Sequence, residues 1–262
     1  MGGKERLQFV RSPLLERFSG LTHAFTTRSG GISCPPYDSL NLSARSGDTE
    51  FSVEKNRQIL SDALSIKRNF FFLNQVHGDS IVVAEDAGSQ RKSYSADAVI
   101  TAKPELPLAI LTADCLSILL FSADNRSIGA IHAGWRGTAL NIVGQTVNRM
   151  ISRFNINPAY IYAAMGPSIG PCCYEVDSTV YEQFHKSSSL WDEGSLNADR
   201  DGERRWMLDL AVINSLQLEE AGVDPEHISH TPYCTSCNEN LFYSYRRDGI
   251  SSGRQGSIIM LT

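Results

Sequence analysis

The chain has 262 residues, of which 42% are hydrophobic and 20% charged, with no biased tract; this supports a sizeable core and excludes disordered and solenoid classes. Its formal charge of −5 sets a field that repels polyanions, and no Lys/Arg run offers a nucleic-acid track, so any phosphate site must be local. The opening MGGKERLQFVRSP lacks an apolar signal stretch and no membrane-length apolar run follows, which implies a cytoplasmic chain whose six cysteines are thiols or metal ligands rather than disulfides.

Along the chain, the clearest strand signals fall in 98–132: AVIT, LPLAILTADC, LSILLF and SIGAIHAG, separated by short Pro or Asn/Asp breaks, which predicts the interior of a sheet. The break at 123–127 predicts a hairpin between Leu116–Phe121 and Ile128–His132. A turn centred on Asn125 sets Cys115 opposite Trp135, three residues from His132, an offset of about 10 Å at strand spacing. After Gly137, apolar residues at Leu140, Val143, Val147, Met150 or Ile151, and Phe154 predict a helix ending before Asn157-Pro158. Leu208, Val212, Leu216 and Glu219 to Ala221 predict a second, stopped by Gly222. The polar segment from Ser187 to Arg205 reads as a mobile loop and SIIMLT as a last strand. Strands interleaved with helices and hairpins favour a mixed-sheet fold, and the absence of a linker favours one domain over 1–262.

His77, Cys115 and His132 each fall where an apolar strand ends against small or glycine residues, in NQVHG, TADC and HAGWRG. Two imidazoles and a thiolate suit zinc, and three ligands leave the open position of a catalytic ion. The same atoms allow two other readings, buried polar residues beside a packed thiol, or a Cys115 nucleophile with His132 as its base. Cys234-Thr235-Ser236-Cys237 has no partner CxxC, so it reads as structural, and adjacent Cys172 and Cys173 as packed thiols. His23, His185, His227 and His230 lack ligand-type neighbours. Arg28, Arg136 and Arg246 lie beside small residues, a pattern suited to clamping phosphate or carboxylate.

Together these segments resemble the YfiH family, also called the laccase-domain or polyphenol-oxidase-like family. The resemblance runs from TTRSGGIS at Thr26 to Ser33 and SLNL at Ser39 to Leu42, through EKNR, QVHG, ADAVIT, TADC and HAGWRG. It continues in GPSIGPCCYEV at Gly166 to Val176, then CTSC, FYSYRRD and SGRQ. It implies an α+β fold, a single-domain four-layer α/β/β/α sandwich with mixed sheets, and zinc bound by His77, Cys115 and His132. It also implies phosphorolysis of adenosine, inosine, guanosine and methylthioadenosine, and deamination of adenosine. The rival activity is a peptidoglycan-editing amidase acting on a nucleotide-linked muramyl precursor.

For deamination the candidate acid or base is Asp114 or Glu175, beside the Cys115 centre. For phosphorolysis, Arg28, Arg136 and Arg246 are the candidate anion site, with Asn41, Gln75 and Tyr174 contacting sugar or base. Partners are then purine nucleosides and phosphate, with no nucleic acid or membrane, in a monomer or homodimer. Six histidines cannot furnish both a blue copper site and a trinuclear cluster, so any polyphenol oxidase side activity is expected to track adventitious copper at the zinc site.

Overall fold

The computed structural model describes residues 6–85, 94–124, 126–187, 190–200 and 202–262. Alternation of side chains along the strands builds two mixed sheets that face each other. The larger runs Ile228–His230, Ile161–Met165, Leu116–Ser122, Ser127–Ala133, Ala98–Thr101, Ile81–Val83, with parallel pairs at both edges and antiparallel pairs between. The smaller runs Phe9–Val10, Leu21–Thr26, Gln255–Leu261, Leu108–Thr112, Phe71–Phe72. Leu119, Phe121, Val99 and Ala130 of the first sheet meet Phe25, Leu108, Ile110 and Ile259 of the second, forming the core between them.

One residue along, the side chains point the other way, as period-two strands require. Leu116, Ile118, Leu120 and Ile131 turn outward to pack under the helices Ile142–Phe154 and Leu210–Glu220. Ala24, Ala109, Ile258 and Met260 turn outward from the second sheet against Leu60 of the helix Glu50–Ala63. Burial on both faces of both sheets gives the four layers α/β/β/α, the α+β sandwich with mixed sheets that the family resemblance implies.

Several sequence expectations need correction. Leu108–Thr112 belongs to the smaller sheet while its three neighbours in sequence belong to the larger, so the four apolar runs do not share one sheet. The hairpin pairs Ser122 with Ser127 and Leu116 with Ala133; the next step sets Cys115 opposite Gly134 rather than Trp135. Asn125, the expected turn centre, lies outside the described residues. Leu140 is exposed, because the long helix begins only after Asn141, whose left-handed backbone and side-chain cap to the Gly144 N–H separate it from the short helix Trp135–Ala139. The second helix starts at Leu210, capped by the Asp209 carboxylate, and buries Leu210, Ile213 and Gln217 instead of Val212.

The segment 187–205 is not a loop through its length. Its Ser188, Ser189 and Asp201 lie outside the described residues, but Trp191–Gly194 is helical and Ser195–Asn197 pairs with Trp206–Leu208 in a third, three-stranded sheet. Trp191, Trp206 and Tyr181 pack ring against ring there, with Tyr181 and Trp206 stacked at 4.5 Å. These aromatics supply the apolar area that the polar appearance of the segment conceals.

Candidate metal centre and cavity

The chain crosses between the two main sheets twice at the same end of the sandwich. From Phe71–Phe72 in the smaller sheet it passes to Ile81–Val83 in the larger, and from Leu108–Thr112 to Leu116–Ser122. His77 lies in the first crossing and Cys115 closes the second, while His132 is the last residue but one of the neighbouring strand Ser127–Ala133. Both crossings need unusual backbone. His77 has φ +59° and Asp114 φ +95°, a region non-glycine residues seldom adopt and which surrounding contacts must hold.

Asp97 holds the first of them. Its carboxylate accepts the backbone N–H groups of Val76, His77 and Gly78 at 3.2, 2.9 and 2.8 Å. It also accepts from His132 Nδ1 at 2.8 Å. One fully buried side chain thereby fixes the turn carrying one imidazole and the orientation of the other, leaving Nε2 of His132 for a ligand. Sequence reasoning passed over Asp97, although it sits in ADAVIT; an acidic residue opening an apolar strand was the available signal. Asp114 holds the second crossing. Its oxygens accept the Thr235 hydroxyl and the Arg246 N–H, both at 2.6 Å.

The ligand atoms of His77, Cys115 and His132 all lie within 4.8 Å of one another. Cys115 Sγ is 4.0 Å from His77 Nε2, and the two imidazole rings meet edge to face at 4.7 Å. Gly134 allows this convergence, since a Cβ there would stand 3.1 Å from Cys115 Sγ and 3.3 Å from His77 Cδ2. Loss of water pulls the Cys115 thiol pKa upward, but the neighbouring His132 charge and hydrogen bonds from both imidazoles win and lower it to about 6. Burial pulls His132 down while the Cys115 thiolate and Asp97 raise it to about 9. A thiolate flanked by two imidazoles, one oriented by a carboxylate, is the donor chemistry that a zinc ion takes, so these residues fit a metal.

Beside this group opens a cavity of about 830 Å³, lined by His77, Cys115 and His132 at one end and by Arg45, Arg57, Arg246 and Arg254 around its walls. Four guanidiniums on one cavity make a positive pocket in a chain of net charge −5. They are held rather than loose. Arg57 donates twice to the Leu42 carbonyl and lies over Phe72, Arg254 donates to the carbonyls of Ser252 and Gly253, and Arg246 donates to that of Glu175. Phe72, Leu111, Ile169, Tyr174 and Tyr245 give the cavity apolar and aromatic surface.

Of the residues expected from sequence, Gln75, Asp114, Tyr174 and Arg246 line this cavity together with the metal-type group. Gln75 is locked by paired hydrogen bonds to the Leu111 backbone. Asp114 has each oxygen engaged in one hydrogen bond, from the Thr235 hydroxyl and from the Arg246 N–H. The others lie elsewhere. Arg28 is drawn to the Asp38 and Glu239 carbonyls and stacks over Tyr243. Asn41 is fully buried in a network with Ser43, Ser46, Asp48 and the Arg254 N–H, so it supports the wall from behind. Glu175 pairs in a strand with Met207 and lies 3.8 Å from Arg200. Arg136 stacks on Trp135 and lines a separate hollow of about 390 Å³ that shares His77. Arg45, Arg57 and Arg254 escaped notice in the sequence because nothing in their immediate neighbours marks them as facing a cavity.

The remaining histidines do not gather at the centre. His23 accepts the Ser12 N–H, His185 meets Tyr181, and His227 packs on Tyr162 and meets the Ala159 carbonyl. Among the described residues, no cluster of several imidazoles such as a trinuclear copper site needs is assembled.

Residues 22–262 match the family model described as multi-copper polyphenol oxidoreductase laccase. A Deinococcus radiodurans protein named Purine nucleoside phosphorylase is 41% identical over 256 residues, covering 97% of this chain and 93% of the relative. Purine nucleoside phosphorylase YlmD of Geobacillus stearothermophilus is 37% identical over 92% of this chain and 90% of its own. The crystal structure of the Bacillus licheniformis hypothetical protein YfiH superposes with a TM-score of 0.89 at 33% identity, covering 98% of this chain and 99% of the other.

Proposed function

The chain belongs to this laccase-like family, whose curated relatives carry the name purine nucleoside phosphorylase, and on that premise we propose that it is a zinc-dependent enzyme that phosphorolyses purine nucleosides. The observation that carries the reading is the juxtaposition of the His77, Cys115 and His132 group with an arginine-lined cavity of about 830 Å³. That volume lies within the usual range for small-molecule sites. It combines aromatic walls for a purine with fixed positive charge for phosphate.

When bound by His77, Cys115 and His132, zinc supplies a Lewis acid that polarises oxygen or nitrogen atoms and lowers the pKa of water toward neutrality. The chain's own residues do the rest. Arg246 and Arg254, with Arg45 and Arg57, attract phosphate and orient one of its oxygens toward the ribose C1′. As the C1′–O bond forms, the bond from C1′ to the purine nitrogen breaks and its electron pair passes to the base. Burial raises the Tyr174 phenol above its ordinary range, so it stays protonated and donates a hydrogen bond to that developing charge. Deamination of adenosine belongs to the same proposal: the cavity admits the purine, a water oxygen bonds to its C6 as the C6–N bond breaks, one water proton leaves with the amino group as ammonia, and the other passes to N1 of the resulting hypoxanthine ring.

The first test is the phosphate dependence of inosine cleavage. Arg254→Gln is expected to raise the KM for phosphate about tenfold or more while changing the KM for inosine little, because it removes one charge-assisted contact. An unchanged phosphate KM would remove Arg254 from the anion site. Ammonia released from adenosine without phosphate separates the deaminase part from the phosphorylase part.

A further inference from the structure

Five of the six cysteines take no part in the centre above, and the fold gathers four of them. Cys172 and Cys173 lie on the segment that follows the strand Ile161–Met165, while Cys234 and Cys237 lie in the CTSC turn some sixty residues later. A β-bridge of Ser168 with Cys234 and the Thr235 N–H donated to the Ser168 carbonyl at 2.9 Å bring the segments together. The adjacent pair thus supplies the partner that CTSC lacks in sequence. Their sulfurs all lie within 4.8 Å of one another, with Cys173 to Cys237 at 3.3 Å and Cys172 to Cys237 at 3.6 Å, and none is in a disulfide.

Those spacings suit one ion. Tetrahedral zinc at about 2.3 Å from each thiolate sets its sulfurs about 3.8 Å apart, inside the observed range. The backbone is also arranged for sulfur charge. Cys234 Sγ accepts the Gly170 N–H at 3.3 Å and a further backbone N–H from Cys237, and such bonds to an ionised acceptor are stronger than to a neutral one. Arg247 donates to the carbonyls of Thr235 and Ser236 at 3.0 and 3.2 Å, which pins a cation against the same turn.

We propose that Cys172, Cys173, Cys234 and Cys237 form a second zinc site, closed by four thiolates and structural in role, that clamps segment 166–174 to the CTSC turn at the edge of the cavity. Each thiol releases its proton as it ligates, so four protons leave and the site carries a net charge of −2. The clamp bears on the cavity through its neighbours. Tyr174 follows Cys173 directly, and Thr235 follows Cys234 and donates to Asp114 beside Cys115.

Zinc content of the reduced, full-length protein tests this. Two zinc ions per chain are expected in the wild type, one in Cys234→Ser/Cys237→Ser and one in His77→Ala/Cys115→Ala. The last variant leaves the cysteine cluster intact, so it reads the new site even where cysteine changes impair folding. Loaded with cobalt(II), it is expected to show strong visible bands of a tetrahedral ion and sulfur charge-transfer absorption. No zinc and no cobalt bands in that variant, or a disulfide joining these cysteines in the native protein, would overturn the proposal. Failure of the His77, Cys115 and His132 centre alone would instead leave one zinc in the wild type and its loss on Cys234→Ser/Cys237→Ser.

Discussion

Asp97 concentrates more of the site's geometry in one side chain than any metal-type residue does, since it fixes the turn at His77 and the ring of His132 together. Asp97→Asn would keep the shape but replace an acceptor-only carboxylate by an amide, whose N–H₂ must face backbone N–H groups or the imidazole. Zinc affinity at the centre is expected to fall on the order of 10 to 100-fold, the usual effect of losing such a support, as read by competition with a chelator. An unchanged affinity would mean that His132 is oriented by other means. The three metal-type residues were legible in the sequence because His and Cys at strand ends are chemically conspicuous. Asp97, Arg45, Arg57 and Arg254 were not, because a buried carboxylate and a cavity-facing guanidinium are defined by partners distant in sequence.

Among elements, the helix Glu50–Ala63 shows how a motif without chemistry of its own shapes the cavity wall. Asn56, fully buried within it, accepts the Ile32 N–H and donates to Ser33 Oγ and to the carbonyls of Ser39 and Asn41. Through Asn41 this network reaches Arg254. Removing it strands several buried groups, each costing about 1–3 kcal/mol. Asn56→Ala is therefore expected to destabilise the protein by about 3 kcal/mol or more in urea unfolding, and a loss below about 1 kcal/mol would show that water replaces the amide. The helices from Ile142 and Leu210 were readable from apolar spacing, but their starting points were not. The caps at Asn141 and Asp209 set them, and the faces shift accordingly. The polar segment after Ser187 was misread because its single aromatic ring, Trp191, packs with Tyr181 and Trp206 from either side of it, and the three rings gather its short elements.

For the whole molecule, the strand inventory was legible but its division between two sheets was not. The crossing at Thr112 to Leu116 depends on Asp114 in a left-handed backbone, held by Thr235 and Arg246 from the far end of the chain. The same sandwich has a pH dependence. His23, buried in the smaller sheet, accepts the Ser12 N–H, and burial, then the nearby Arg11 charge, lower its pKa from 6.5 to about 4. A base whose folded pKa is depressed favours the neutral form, so its contribution to stability is full above pH 6.5 and is lost as pH falls toward 4. Between those limits the wild type is expected to lose about 3 kcal/mol more than His23→Gln in urea titrations; parallel losses in the two proteins would contradict this.

The proposed function joins a metal centre of two imidazoles and a thiolate to a cavity that splits nucleosides with phosphate. Its most direct test is product analysis of inosine incubated with the zinc-loaded protein and phosphate. Hypoxanthine and ribose 1-phosphate are expected in equal amounts, dependent on phosphate, with base release reduced on the order of 100-fold or more in His132→Ala. Free ribose in place of the phosphorylated sugar, or cleavage undiminished in that variant, would contradict it.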